Sequence, residues 1–156
     1  MSTTVQHASP ARAAVGIDPR GPQFTAGVTA AVLVAILVTA PSGFATALLA
    51  VQTALFVIGA ARGVQHTPLA WVFRTFVRPQ LRVPDELEDP APPRFAQTVG
   101  LAFGVTGLAG FLAGADTLGL VAVGLALVAA LLNAVFRFCL GCEMYLLLKR
   151  FQPAAR

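Results

Sequence analysis

The chain has 156 residues, which allows one domain, and its hydrophobic fraction of 56% far exceeds its charged fraction of 12%. A soluble domain averages about 25% charged residues, so this composition excludes an ordinary water-soluble protein and indicates an integral membrane protein. The net charge of +4 does not indicate nucleic-acid binding, because the basic residues flank apolar segments and no nucleic-acid-binding motif accompanies them.

The N-terminal residues are polar and lack the apolar run of a cleavable signal peptide. We expect residues 1–15 to form a disordered tail. The following "GIDPRGP", residues 16–22, is expected to form an ordered turn, because its prolines fix φ and its glycines permit unusual backbone angles.

Four uncharged apolar segments predict transmembrane helices. The first two, 23–40 and 44–61, are separated by the turn sequence "PSG" and form a hairpin. Eighteen helical residues reach ~27 Å at ~1.5 Å per residue, close to a bilayer core of ~30 Å. The third segment, 95–114, is followed by the turn "AD" and by a fourth span.

No break is evident after the fourth span, so we expect one long helix over residues 117–149 that projects past the membrane or tilts strongly. The fold prediction is therefore all-α, with four transmembrane helices in two hairpins. Residues 16–150 form the single domain, and residues 151–156 form a short tail.

The segment between the second and third spans, residues 62–94, has a different character. Arg74, Arg78 and Arg82 are spaced by four residues, which predicts a basic stripe on a short amphipathic helix lying at the membrane interface up to Pro79. The sequence "DELEDPAPP" follows it. This acidic, proline-rich run predicts an extended surface loop.

The basic residues predict the orientation of the four spans. All eleven Lys and Arg residues fall in the two tails, in the 62–94 segment or after the fourth span, which places them on one side of the membrane. The positive-inside rule assigns that side to the cytoplasm. We therefore expect a multi-pass membrane protein with both termini cytoplasmic and the lipid bilayer as its environment.

Both cysteines lie in "FRFCLGCEMYLLLKR", residues 136–150. On a helix, Cys139 and Cys142 share one face with Cα atoms ~5 Å apart, within reach of a disulfide. A permanent structural disulfide is disfavoured at the cytoplasmic face, because the cytosol keeps thiols reduced. Glu143 shares that face and could exchange protons with the thiols, whereas Arg137 is expected to point away from Cys139. Cys139, Cys142 and Glu143 are thus the catalytic candidates.

Four arginines are candidates for binding an anionic substrate or lipid headgroups, namely Arg20, Arg74, Arg78 and Arg82. No cofactor is predicted. The two cysteines alone fall short of the four ligands that structural zinc takes, and His66 could contribute a third. Redox or sulfur-transfer use, metal binding and simple burial as small apolar side chains therefore stay open for the pair.

Three segments together carry a family resemblance, "GIDPRGPQF" (16–24), "RPQLRVPDELEDPAPPRFAQTVG" (78–100) and "FRFCLGCEMY" (136–145). They resemble a family of small bacterial four-helix membrane proteins catalogued as domain of unknown function 4395. The resemblance covers about residues 16–150. The matching positions are Asp18, Pro19, Arg20, Arg78, Pro79, Pro90, Arg94, Phe95, Cys139, Gly141, Cys142 and Glu143.

Relatives in that family are encoded near thioredoxin-like and rhodanese-type sulfurtransferase proteins, so the resemblance implies a link to thiol or sulfur chemistry and partners of those kinds. The leading hypothesis is thiol–disulfide exchange or persulfide carriage by the CxxC pair. An alternative is a non-catalytic adaptor that recruits a soluble partner through the 62–94 loop. A weaker alternative is a transporter of a small sulfur-containing anion, and whether the chain is an enzyme stays open.

Overall fold

The computed structural model describes residues 16–151, so the predicted tails at 1–15 and 152–156 lie outside the described residues. The described chain is all-helical, with one isolated antiparallel bridge between Ile17 and Glu88. Its six α-helices are α1 (Arg20–Thr39), α2 (Gly43–Arg62), α3 (Pro68–Val72), α4 (Ala91–Leu112), α5 (Asp116–Phe136) and α6 (Leu140–Phe151).

Four of these helices, α1, α2, α4 and α5, are 20 to 22 residues long and apolar enough to cross a membrane. At ~1.5 Å per residue each is ~30 Å long, which matches the hydrocarbon core of a bilayer. The predicted four-span fold in two hairpins is confirmed.

The four spans form a bundle in which α1 contacts α2 and α5, and α4 contacts the same two helices. We call the end of the bundle that carries residues 62–90 and α6 the loop end, and the end that carries residues 40–42 and 113–115 the turn end. Every Lys and Arg of the described part lies at the loop end, whereas Asp116 lies at the turn end.

The turn half of the bundle holds the hydrophobic core. Leu33, Ile36, Leu49 and Val123 are its largest fully buried side chains. Helices α4 and α5 also approach closely here, since a Cβ atom built on Gly110 would lie 2.6 Å from the backbone nitrogen of Gly119. Glycine permits such a backbone contact between membrane helices.

The loop end is organised by a helical segment that continues beyond α3. A π-helical turn (Phe73–Val77) and a 3-10 turn (Arg78–Gln80) follow α3 directly, so the predicted helix around Arg74 and Arg78 is present. Its aromatic residues are divided, however. Trp71 and Phe76 are exposed, but Phe73 is buried and packs against Phe24 of α1 with ring centroids 5.7 Å apart. Phe73 therefore anchors the segment to the protein rather than to lipid.

The expected continuous helix over 117–149 is wrong, because α5 ends at Phe136 and α6 begins at Leu140. Arg137 adopts the left-handed conformation (φ 57°, ψ 22°), and its N–H donates to the Asn133 carbonyl at 3.1 Å. The Phe138 N–H donates to the Leu132 carbonyl at 3.2 Å. A left-handed residue just past a helix satisfies its last carbonyls and turns the chain away from the helix axis.

The residues after this turn form a separate amphipathic helix. One face of α6 is apolar and exposed, made by Leu140, Met144, Leu147, Leu148 and Phe151. Glu143, Lys149 and Arg150 lie elsewhere around the helix. This pattern is typical of a helix at the membrane surface. The helix includes Phe151, the first residue of the predicted C-terminal tail.

The turn at Arg137 can be tested by glycine substitution. Glycine adopts φ > 0 without the Cβ penalty of other residues, so Arg137→Gly is expected to stabilise the fold by ~1 kcal/mol. Arg150→Gly, in the helical part of α6, should instead destabilise it by ~0.5–1 kcal/mol. Denaturant unfolding in detergent micelles measures both values. Equal destabilisation by the two substitutions would mean that the helix runs straight through residue 137.

Candidate functional site

The two cysteines lie at the start of α6. They form a disulfide, with Cα atoms 5.1 Å apart, and both residues are half-buried. The Cys142 N–H donates to the sulfur of Cys139 at 3.3 Å, and the Glu143 N–H donates to the Cys139 carbonyl at 3.0 Å. Cys139 thus takes the place of an N-cap residue, whose side chain accepts a hydrogen bond from the first turn of the helix.

This position has an electrostatic consequence for the reduced thiol. The free N–H groups and the macrodipole at a helix N-terminus favour negative charge, and a cysteine placed there has enhanced thiolate character. Had α5 continued to residue 149, Cys139 would lie inside a helix and would lack both effects. The helix break therefore gives the two sulfurs different surroundings, since the Cys139 sulfur accepts the Cys142 N–H at the start of α6.

The placement of α6 depends on Gly141, the residue between the cysteines. A Cβ atom built on Gly141 would lie 2.6 Å from the Cα of Ala96 in α4. One turn further along α6, Tyr145 packs against Phe95 with ring centroids 5.7 Å apart. These contacts hold the cysteines against the first turns of α4, at the loop end of the bundle.

A cavity of about 610 Å³ opens beside the disulfide. Its floor lies between the four spans and is lined by apolar and hydroxyl side chains, including Thr29, Phe56, Phe103 and Ala126. Its rim is polar and includes Arg20, Asp85, Glu86, Glu88, Arg137, Cys139 and Cys142. The cavity therefore connects the two sulfurs with the apolar interior of the membrane-spanning bundle.

The acidic loop folds over this cavity at the loop end. The backbones of Ile17 and Glu88 exchange two hydrogen bonds of 2.9 Å. Arg20 Nη1 donates to the Arg82 carbonyl at 2.8 Å. The predicted surface loop is thus tied to the start of α1, and its side chains at Pro84, Asp85, Glu86 and Glu88 line the cavity.

The predicted site residues fall into two groups. Arg20 lines the same cavity as Cys139 and Cys142. Arg74 and Arg78 instead line a second cavity of about 280 Å³ between α1, α3 and the residues before them, and the backbone of Arg82 binds Arg20. Glu143 is exposed on the first turn of α6, outside the residues that line the main cavity.

In the second cavity, Arg78 faces an internal carboxylate. The Asp18 side chain is only 7% exposed, its Oδ1 accepts the Arg20 N–H at 3.0 Å, and its Oδ2 lies 3.9 Å from Arg78 Nε. Among the described residues, Asp18 Oδ2 and Gln65 Oε1 are buried without a hydrogen-bond partner. Because Asp18 already neutralises part of this basic surface, Arg78 is a weaker candidate for an external anion than Arg20.

The metal hypothesis finds no third ligand in the described range. Residues 16–151 contain no group of three or more His, Cys, Asp or Glu side chains placed to hold a metal ion. His66 ends a 3-10 turn (Val64–His66) and is not among the residues lining the cavity with the cysteines.

Sequence reasoning missed several polar groups of the main cavity. The main cavity is lined by Gln23, Gln97 and Asn133. Each is an amide in an otherwise apolar segment, and this pattern could have marked them as candidates. Arg137 also lines it, although a straight helix would have turned that side chain away from Cys139. The left-handed turn changes the direction of the Arg137 side chain, and no neighbouring residue type predicts that turn.

The chain was compared with known families, curated proteins and solved structures. The model of one family, Domain of unknown function (DUF4395), matches residues 17–150. No curated protein and no solved structure matches the chain. The matched segment contains all four spans, the loop over the cavity, the left-handed turn and both cysteines, and the chain belongs to the DUF4395 family.

Proposed function

We propose that this protein is a membrane-bound thiol–disulfide exchange protein whose working group is the Cys139–Cys142 pair. The observation that carries the proposal is the N-cap position of Cys139, where the Cys142 N–H lies 3.3 Å from its sulfur. A helix N-terminus stabilises the thiolate, the form of cysteine that attacks disulfides. Both cysteines line the adjoining cavity, which extends between the four spans.

The exchange proceeds through a mixed disulfide. The Cys139 thiolate attacks one sulfur of a partner disulfide, a new S–S bond forms, and the other partner sulfur leaves as a thiolate. Cys142, deprotonated, then attacks the Cys139 sulfur, closes the intramolecular disulfide and releases the second partner thiolate. Two electrons and two protons pass from the pair to the partner, and the reverse sequence oxidises a partner dithiol.

Neighbouring charges support these steps. Glu143 lies one turn after Cys139 and is exposed, and we propose that its carboxylate exchanges protons between water and the thiols. Arg20 and Arg137 line the same cavity as the two cysteines, and a positive charge within ~4–6 Å of a sulfur would favour its thiolate. The same thiolate could also attack the outer sulfur of a sulfane donor, forming a persulfide as the donor's bond to that sulfur breaks and the rest of the donor leaves with the electron pair.

We also propose that the loop end faces the cytoplasm of the bacterial inner membrane. All Lys and Arg residues of the described part lie at that end, and cytoplasmic loops carry such an excess. A cytoplasmic thioredoxin-like protein would then meet Cys139 from the aqueous side.

Thiol labelling tests this orientation. After reduction with a permeable phosphine, a membrane-impermeant maleimide added to intact cells is expected to leave both cysteines unmodified. The same reagent should modify them in inverted membrane vesicles. A cysteine introduced at the turn end by Asp116→Cys is the matched control, which should react in intact cells. The opposite labelling pattern would place the loop end outside.

The order of attack predicts an asymmetry between the two cysteine variants. Cys142→Ser leaves the nucleophile without its resolving thiol. It should therefore accumulate a mixed disulfide with a thioredoxin-class protein that lacks its own resolving cysteine and whose remaining cysteine is activated as a thionitrobenzoate disulfide, because attack by Cys139 expels thionitrobenzoate and no thiol then resolves the product. Cys139→Ser should accumulate at least ~10-fold less, since Cys142 does not hold the N-cap position. Non-reducing electrophoresis and intact mass measure the adduct, and the mass separates a persulfide from a disulfide.

The double variant Cys139→Ser/Cys142→Ser is the control and should form no adduct. Equal trapping by both single variants would contradict the assignment of Cys139 as nucleophile. Partner binding that survives in the double variant would instead favour the adaptor role of the 62–94 loop.

A further inference from the structure

We infer that the cavity beside the disulfide binds the ring of a membrane-soluble quinone, which accepts the electrons of the Cys139–Cys142 dithiol. This inference rests on the proposed thiol–disulfide exchange and adds to it the substrate class on the membrane side. It is carried by the shape, the lining and the opening of the cavity.

The cavity has the size and the composition of a small-molecule site. Its volume of about 610 Å³ lies within the ~300–1,000 Å³ of typical ligand pockets, which are mainly apolar with a few polar groups. Phe56 and Phe103 line its interior together with Ala126, Ala129 and Ala130. Two phenylalanine rings among small side chains suit a flat apolar ring.

The way into the cavity favours a ligand that arrives from the bilayer. Leu125 and Val128 of α5 line the cavity, yet they are 52% and 55% exposed on the surface of a membrane-spanning helix. The cavity therefore reaches the lipid-facing side of the bundle, whereas Pro84, Asp85, Glu86 and Glu88 of the acidic loop line it at the loop end. An isoprenoid tail can lie in lipid at such an opening while the ring enters.

The polar groups in the cavity fit the two carbonyl oxygens of a quinone. Gln23, Gln97, Asn133 and Arg137 all line the cavity, and the side chain of each can donate a hydrogen bond. The Gln23 amide already donates one hydrogen bond, to the Ala134 carbonyl at 2.9 Å, and keeps its second N–H. Donors near the sulfurs would also stabilise negative charge on the ring oxygens during reduction.

The dithiol and the quinone exchange equal numbers of electrons and protons. The dithiol loses two electrons and two protons as its two S–H bonds break and the S–S bond forms. The quinone gains the two electrons and two protons as two O–H bonds form, giving the quinol. A cytoplasmic dithiol would then reduce the Cys139–Cys142 disulfide again through the exchange described above.

The test uses the full-length reduced protein in lipid nanodiscs with decylubiquinone, whose fully substituted ring disfavours thiol addition. The wild type is expected to convert one quinone to quinol per dithiol, and ultraviolet absorbance measures this conversion. Ala129→Phe fills the cavity from α5 and should slow this reaction at least ~10-fold, because the ring must compete with the added side chain. Val99→Phe obstructs the same cavity from α4 and serves if Ala129→Phe fails to fold.

Ala102→Phe is the matched control, because Ala102 is exposed on α4 and does not line the cavity; its quinone reduction should equal that of the wild type. Reduction of a water-soluble disulfide, dithiobis(nitrobenzoate), is measured in parallel and should be unchanged in all these variants. Failure of the wild type to reduce dithiobis(nitrobenzoate) would overturn the proposed exchange function itself. Normal thiol exchange with no quinol, or with quinol formed at the wild-type rate in both cavity variants, would overturn the quinone site alone.

Discussion

The left-handed turn at Arg137 is the constraint on which the rest of the site depends. It ends α5 at Phe136, satisfies the last carbonyls of that helix and lets a new helix begin at Leu140. Cys139 then becomes an N-cap instead of a residue inside a helix. Gly141 completes the arrangement, because its missing side chain lets α6 rest on the backbone of Ala96.

The bundle is divided along its length into a closely packed half and a more open half. The turn half is filled by Leu33, Leu49 and Val123 and by the Gly110–Gly119 contact, so it is closely packed. The loop half is more open and holds the cavity, with the disulfide on its rim and the acidic loop across it. The sulfurs therefore lie where an aqueous protein and a lipid-soluble molecule could each reach them.

The sequence predicted the parts of this structure that follow from local pattern. Uncharged runs of about 20 residues located the four spans, and the i, i+3 spacing of the cysteines predicted a Cα distance of ~5 Å, close to the observed 5.1 Å. The break at Arg137 was missed because a glycine, the usual signal for a left-handed cap, is absent at that position. The cavity was missed because it arises from the packing of helices distant in sequence.

The central claim is that the break makes Cys139 the reactive thiol of the pair. The most direct measurement is the alkylation rate of each cysteine in the fully reduced wild-type protein at pH 7, read by peptide mass spectrometry after brief exposure to iodoacetamide. The N-cap position predicts that Cys139 reacts at least ~10-fold faster than Cys142. Equal rates, or a faster Cys142, would contradict the account.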